Sequence, residues 1–259
     1  MPLIVLVAAY VVLVMAAPMI ADSMIHHPEM ASRRAPAGLR KIRGSDGRSI
    51  AALYLPNPQA RFTVWFFHGN AEALGDLEPF LRQFHAAGFA VFAFDYPGYG
   101  LSEGRPSEAA IYGAARTVRD YLRNELHVAP VQTLLYGRSL GSGPAVQMAT
   151  EEPVGGLVVQ SGFMSAFRVL TRWALLPFDQ FKNLAKMPLV SCPVLVMHGQ
   201  ADEVVPFHHG EALFAAALEP KRACWVPGAG HNDFIEAAGE SYWRALREFS
   251  DLCARHAKP

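Results

Sequence analysis

Charge, cysteine and basic clusters are all scarce in this chain, and each scarcity removes a class of function. Only 18% of its 259 residues are charged, and 23 Lys and Arg balance 23 Asp and Glu to a formal net charge of zero. With no basic stripe to neutralise phosphates, a nucleic-acid partner is not expected. The three cysteines, Cys192, Cys224 and Cys253, are too few and too scattered for a disulfide framework, and none has a second Cys or a His at zinc-ligand spacing. They read as small interior hydrophobes, and neither a metal nor another cofactor is expected. Internal repeats and low-complexity stretches are lacking too, and nothing signals an oligomeric state.

Apolar residues, by contrast, make up 51% of the chain, and residues 1–21 contain no charge at all. About 20 helical residues cross a bilayer core, so this segment is long enough to act as a single N-terminal membrane helix. It lacks the basic start of a cleavable signal, and the small-residue site around Ala16, Ala17 and Ala21 is poor. An uncleaved anchor is therefore expected, with export after signal cleavage as the alternative. Arg33, Arg34, Arg40, Lys41 and Arg43 follow the segment and none precedes it, which by the positive-inside rule leaves the folded domain in the cytoplasm.

Residues 22–35 read as a linker, and residues 36–259 as one domain of adequate length to bury a sizeable core. Within it short apolar runs alternate with longer helical patterns, the signature of an α/β fold with a mostly parallel sheet flanked by helices. Eight strands are expected, near 38–43, 50–55, 62–67, 90–94, 132–136, 156–160, 194–197 and 223–226. Helices are expected near 77–87, 107–125, 140–149, 208–217 and 233–254. Between 162 and 191 the helical pattern is broken by Pro177 and Pro188, and this stretch reads as a small cap.

Gly137-Arg138-Ser139-Leu140-Gly141 is a Gly-x-Ser-x-Gly run with an apolar strand before it and a helical pattern after it. That setting is what a nucleophile elbow requires: a sharp strand-to-helix turn that lifts the Ser oxygen above the sheet. Serine needs a base, and the base needs an orienting acid. Asp202 lies in the loop after the 194–197 strand and His231 in the loop after the 223–226 strand, giving the chain order Ser, Asp, His of α/β hydrolases. Glu203 is the competing carboxylate, and Asp202 and His231 could instead cap turns or helices. Two backbone donors are needed for the developing oxyanion, each contributing about 3 to 4 kcal/mol. Leu140 supplies one; Asn70, with Ala71 close behind, supplies the other from the loop His68-Gly69-Asn70-Ala71.

Together with Asp95-Tyr96-Pro97-Gly98-Tyr99-Gly100-Leu101-Ser102-Glu103-Gly104 and Gly230-His231-Asn232-Asp233, these motifs resemble the bud-emergence-type, abhydrolase-domain branch of the α/β hydrolases. The resemblance implies a serine esterase or thioesterase with the same triad, often behind an N-terminal membrane segment. One branch of that family removes palmitate from proteins and carries a Cys-rich N-terminus; no Cys precedes Arg33 here, so lipid-modified anchoring is not implied. Phe163, Met164, Phe167 and Trp173 of the cap are candidate walls of an apolar acyl pocket, or else pack the cap on the sheet. The expected substrate is a small-molecule or lipid-like ester. Amide or peptide hydrolysis by the same triad is an alternative, as is a non-catalytic binding protein on a hydrolase fold.

Overall fold

Thr63-Val64-Trp65-Phe66-Phe67 has no polar face because both of its faces are covered. Val64 and Phe66 enter one apolar core and Trp65 and Phe67 the other, as the two-residue period of a strand requires. The computed structural model describes residue 10 and residues 22–44, 46–170 and 179–256. Its sheet has eight strands: β1 (Arg40–Arg43), β2 (Ser49–Leu55), β3 (Thr63–Phe67), β4 (Ala90–Phe94), β5 (Thr133–Arg138), β6 (Gly156–Gln160), β7 (Val194–Gly199) and β8 (Lys221–Val226). The spatial order is β1-β2-β4-β3-β5-β6-β7-β8. β2 runs antiparallel to both its neighbours, and every pairing from β4 to β8 is parallel. All eight expected strands are present, their limits shifted by a few residues.

Helices cover both faces. On one, α1 (Leu74–Ala86), α7 (Phe234–Ala238) and α8 (Glu240–His256) bury Leu77, Leu81, Phe84, Tyr242, Leu246 and Phe249. On the other, α2 (Glu108–Asn124), α3 (Ser142–Glu151) and α6 (His208–Ala216) do the same with Ile111, Ala115, Val118, Val146 and Leu213. In α2 the buried Ile111, Ala115, Val118 and Leu122 follow helical spacing, and Ser107 caps the start by accepting the Ala110 N–H at 3.1 Å. Two short helices, α4 (Ala166–Leu170) and α5 (Asn183–Lys186), lie in the expected cap. The single helix expected over 233–254 is split, because Gly239 adopts φ +51 and ψ −130, a conformation in which a helix cannot continue.

The membrane anchor expected over residues 1–21 is corrected here. No helix among the described residues is long and apolar enough to cross a membrane. The two longest, α2 and α8, have 17 residues each and carry a charged face. No single N-terminal anchor is shown, and the cytoplasmic placement inferred from it falls as well. Of that segment only Tyr10 lies within the described residues. Residues 22–35, read from the sequence as a linker, fold against the domain and bury His26 and Ala31.

The Asp95 to Gly104 turn is held from its first residue. Asp95 is 2% exposed; its Oδ1 accepts the Leu74 N–H at 2.9 Å and its Oδ2 the Leu101 N–H at 3.2 Å. Its carbonyl accepts from Ser102 Oγ at 2.6 Å, and Ser102 Oγ accepts the Ala51 N–H at 2.9 Å. Burial pushes the carboxyl up from 3.8 to about 7, against the two N–H donors that favour its charged form. Between those two pH values the folded chain binds more proton at Asp95 than the unfolded chain does. Stability from this group is thus full below pH 3.8 and is lost as pH rises toward about 7. Asp95→Asn removes the titration, so its unfolding free energy, measured by urea titration from about pH 4 to 7, should fall less with pH than that of the wild type; equal slopes would refute the assignment.

Candidate active site

β5 ends in a single 3-10 turn, Ser139–Gly141, before α3 begins. Ser139 adopts φ +51, a left-handed conformation that costs a non-Gly residue about 1–3 kcal/mol. The flanking glycines are required by contact. A Cβ on Gly141 would lie 2.1 Å from the Phe67 carbonyl oxygen, and one on Gly137 would lie 2.5 Å from the Gly141 carbonyl oxygen. The turn is thereby pressed against the end of β3.

The structure brings Ser139, His231 and Asp202 together. Ser139 Oγ lies 3.0 Å from His231 Nε2, and His231 Nδ1 lies 2.8 Å from Asp202 Oδ2. The Asp202 side chain is fully buried, and that of His231 is 12% exposed. Asp202 Oδ1 accepts the N–H groups of Val204 at 3.0 Å and Val205 at 2.7 Å. His198, the penultimate residue of β7, places its Nε2 3.4 Å from Asp202 Oδ2 and 2.8 Å from the Val205 carbonyl. Burial alone raises the Asp202 carboxyl, but hydrogen bonds from His198 and His231, the His231 charge and the Val205 N–H outweigh it and hold it well below the usual carboxylate range. Glu203 is exposed, and Asp233 accepts the Gly230 N–H at 2.7 Å to shape the His231 loop.

The loop after β3 carries the other candidates. Ala71, at φ +59, donates its N–H to Asn70 Oδ1 at 3.2 Å, whereas the Asn70 N–H has no acceptor among the described residues. Of the two, Asn70 has the free donor. Leu140 follows Ser139 with its side chain buried in the core. Glu72 accepts the Gly69 N–H at 2.7 Å and pairs with Arg138, whose guanidinium also lies over the Phe80 ring at 5.5 Å. Sequence reading missed this pair, although Glu72 closes the His68–Glu72 run and Arg138 sits inside the Ser139 motif.

In the cap, Phe163 and Phe167 are 4% and 7% exposed, so their rings pack inward. Met164 is half-buried, and its N–H donates to His209 Nδ1 at 3.1 Å. Burial, then the neighbouring His208 and His198, pushes His209 down to about 4, which leaves its ring neutral and able to accept there. Trp173 lies outside the described residues.

The chain is similar to known proteins over most of its length. A family model described as serine aminopeptidase, S33 matches residues 58–184. The α/β hydrolase domain-containing protein 17B of Homo sapiens is 35% identical over 212 residues, covering 80% of this chain and 73% of that protein. The chain belongs to the α/β hydrolase domain-containing family. A further family member, the α/β hydrolase domain-containing protein aho-3 of Caenorhabditis elegans, is 39% identical over 215 residues; the match takes in 79% of this chain and 62% of the longer relative. Among solved structures, the Pyrococcus furiosus esterase Pf2001 superposes with TM-score 0.70 at 18% identity, over 83% of this chain and 91% of the other. The Paleococcus ferrophilus monoacylglycerol lipase does so with TM-score 0.63 at 22% identity, over 79% and 99%. At those identities the two structures show that the α/β-hydrolase fold is shared.

The contact at Gly141 makes the elbow testable without touching any polar site residue. Gly141→Ala forces the turn away from Phe67 and should destabilise the chain by about 1–3 kcal/mol, read as a lower urea midpoint with an unchanged slope. An unaltered midpoint would show that the turn is not pressed against β3.

Proposed function

We propose that this chain is a serine hydrolase that cleaves carboxylic esters or thioesters with an apolar acyl group by way of an acyl-enzyme. The observation that carries the reading is the unbroken relay from Ser139 Oγ through the His231 ring to Asp202, at 3.0 and 2.8 Å. In this reading His231 Nε2 takes the Ser139 proton as Oγ attacks the carbonyl carbon, then returns it to the leaving alcohol or thiol. Water, deprotonated by the same ring, releases the acid. The charged Asp202 holds the ring with Nδ1–H toward itself and supplies the counter-charge for the imidazolium. The N–H groups of Leu140 and Asn70 receive the oxyanion. The apolar content of the cap, with Met164 half-buried at its start, favours an acyl chain over a polar group and a lipid-like or small-molecule ester as substrate.

One observation favours a second reading, amide or peptide hydrolysis: the family model matching residues 58–184 is that of serine aminopeptidases. The same relay would then protonate an amine.

Purified chain is expected to hydrolyse p-nitrophenyl esters, to be labelled by a fluorophosphonate, and to act more slowly on matched p-nitroanilides. Ser139→Ala and His231→Ala should each lower kcat by about 10⁴- to 10⁶-fold while unfolding as the wild type does. Near-normal turnover in either would remove the proposed nucleophile or base. Faster anilide than ester cleavage would transfer the assignment to amides, and an unlabelled, inactive wild type would leave a binding protein.

A further inference from the structure

Residues 22–34 do more than lead into the domain. They form a strap that runs from the cap, over the loop after β3, to the start of α1. At the cap end, Gln180 Nε2 donates to Asp22 Oδ1 at 2.8 Å, and the His26 ring meets Phe181 edge-on with centroids 5.8 Å apart. Phe181 in turn packs on Gly143, just past the elbow, where a Cβ would lie 2.3 Å from its ring. At the α1 end, Arg34 Nε donates to the Gly75 carbonyl at 2.9 Å, and a Cβ on Gly75 would lie 2.1 Å from the Arg34 carbonyl oxygen.

Between these ends the carboxamide of Asn70 ties the strap to the loop that carries the proposed oxyanion donor. Asn70 Nδ2 donates to the Ile25 carbonyl at 2.7 Å, and Oδ1 accepts the His27 N–H at 3.0 Å. The same Oδ1 accepts from Tyr99 Oη at 2.6 Å and from the Ala71 N–H at 3.2 Å. One side chain thus joins the strap, the Asp95 to Gly104 turn and its own loop. The bond to Ala71 has a direct consequence. It occupies the competing N–H and holds the left-handed turn at Ala71, so the Asn70 N–H is left as the loop's donor.

We infer that the Asn70 carboxamide is a positioning group for the reaction: by locking strap and turn together it aims the backbone N–H of Asn70 at the oxyanion. The inference rests on the serine-hydrolase reading and adds to it a role for residues 22–34 and for Tyr99. A mis-aimed donor weakens transition-state binding more than ground-state binding, so the effect falls on kcat and spares KM. A group that only stabilised the fold would leave the kcat of the folded enzyme unchanged.

The test compares wild type, Asn70→Ala, Tyr99→Phe and the double variant on p-nitrophenyl acetate, with thermal unfolding run in parallel. Asn70→Ala should lower kcat by about 10- to 100-fold with KM within about threefold, and Tyr99→Phe by about 3- to 10-fold. Because both act through one oxygen atom, the double variant should be no slower than Asn70→Ala alone. Values of kcat within twofold of wild type in folded single variants would overturn the inference, as would losses that simply multiply in the double. Should Asn70→Ala fail to fold, Tyr99→Phe decides by the same criterion, since it removes one hydroxyl and leaves the ring in place. Fluorophosphonate labelling of the wild type separates the two levels: a labelled, active wild type with indifferent variants overturns the positioning role alone, whereas an unlabelled, inactive wild type overturns the hydrolase reading and this one with it.

Discussion

The packing of two backbone turns against each other, without room for a side chain between them, is the constraint from which the site follows. β3 and β5 are parallel neighbours in register, with Phe67 opposite Gly137. Their following loops therefore leave the sheet at the same level and side by side. Asn70 comes three residues after Phe67 and Ser139 two residues after Gly137, so the loop and the elbow meet at the carboxyl edge, where open α/β sheets bind their ligands. The same register logic operates at β7 and β8, where Gly199 faces Val226. Asp202 and His231 leave the sheet from those two ends. Pairing between parallel strands thus sets which loops can meet, and the absence of a Cβ at Gly141 lets them meet closely.

Electrostatics then decides the state of the groups brought together. A buried carboxyl is ordinarily driven toward its neutral form. Asp95 and Asp202 are 2% and 5% exposed, yet burial wins at the first and loses at the second. Asp95 has two backbone donors and, among the described residues, no cation in contact; His68 Nε2 is 4.0 Å away and held neutral by burial, its value pushed down to about 4. Asp202 has two backbone donors as well, and in addition two imidazoles, His198 and His231. The two imidazoles are the difference between a carboxyl that burial drives toward its neutral form and one held as a carboxylate.

How much of this could be read from the sequence varied with the kind of signal. Strands buried on both faces announce themselves as apolar runs, and β3, β4, β6 and β7 did so. Ser139, Asp202 and His231 could be set at one edge of the sheet because each falls in the turn or loop that follows a strand, immediately after β5, three residues after β7 and five residues after β8. The strap was not legible, because residues 22–34 mix His, Pro, Met and Arg without periodicity, and their attachments are to the Gly75 carbonyl and to the distant side chains of Asn70, Tyr99, Gln180 and Phe181. The pairing of Glu72 with Arg138 was hidden for a related reason: 66 residues separate the partners, and only the β3–β5 register brings them together. The apolar cap residues left two readings open for a different reason. Composition cannot say whether a Phe lines a pocket or fills a core, and Phe163 and Phe167 turn inward. A charge-free run such as 1–21 has the length of a membrane helix, but length and apolarity are necessary conditions for one and do not amount to its presence.

A left-handed Ser139 persists only because its surroundings leave the chain no lower-energy course. β5 is hydrogen-bonded on both sides, to β3 and β6, so the strand cannot slide to relieve the turn. Behind the elbow, Tyr136 donates its hydroxyl to Gln160 on β6 at 2.6 Å and lies 2.7 Å from the hydroxyl of Tyr242 on α8. All three side chains are buried, so breaking that chain would leave polar atoms without partners, at about 1–3 kcal/mol each. That cost is of the same order as the strain at Ser139. Ahead of the elbow, Asn183 Nδ2 reaches Ser142 Oγ at 3.2 Å and the Phe163 carbonyl at 3.1 Å, fixing the first residue of α3 to the cap. The strained turn is gripped from both ends by groups that take no part in the proposed chemistry, and this explains why the Ser139 hydroxyl can be held within reach of the His231 ring, 92 residues away along the chain.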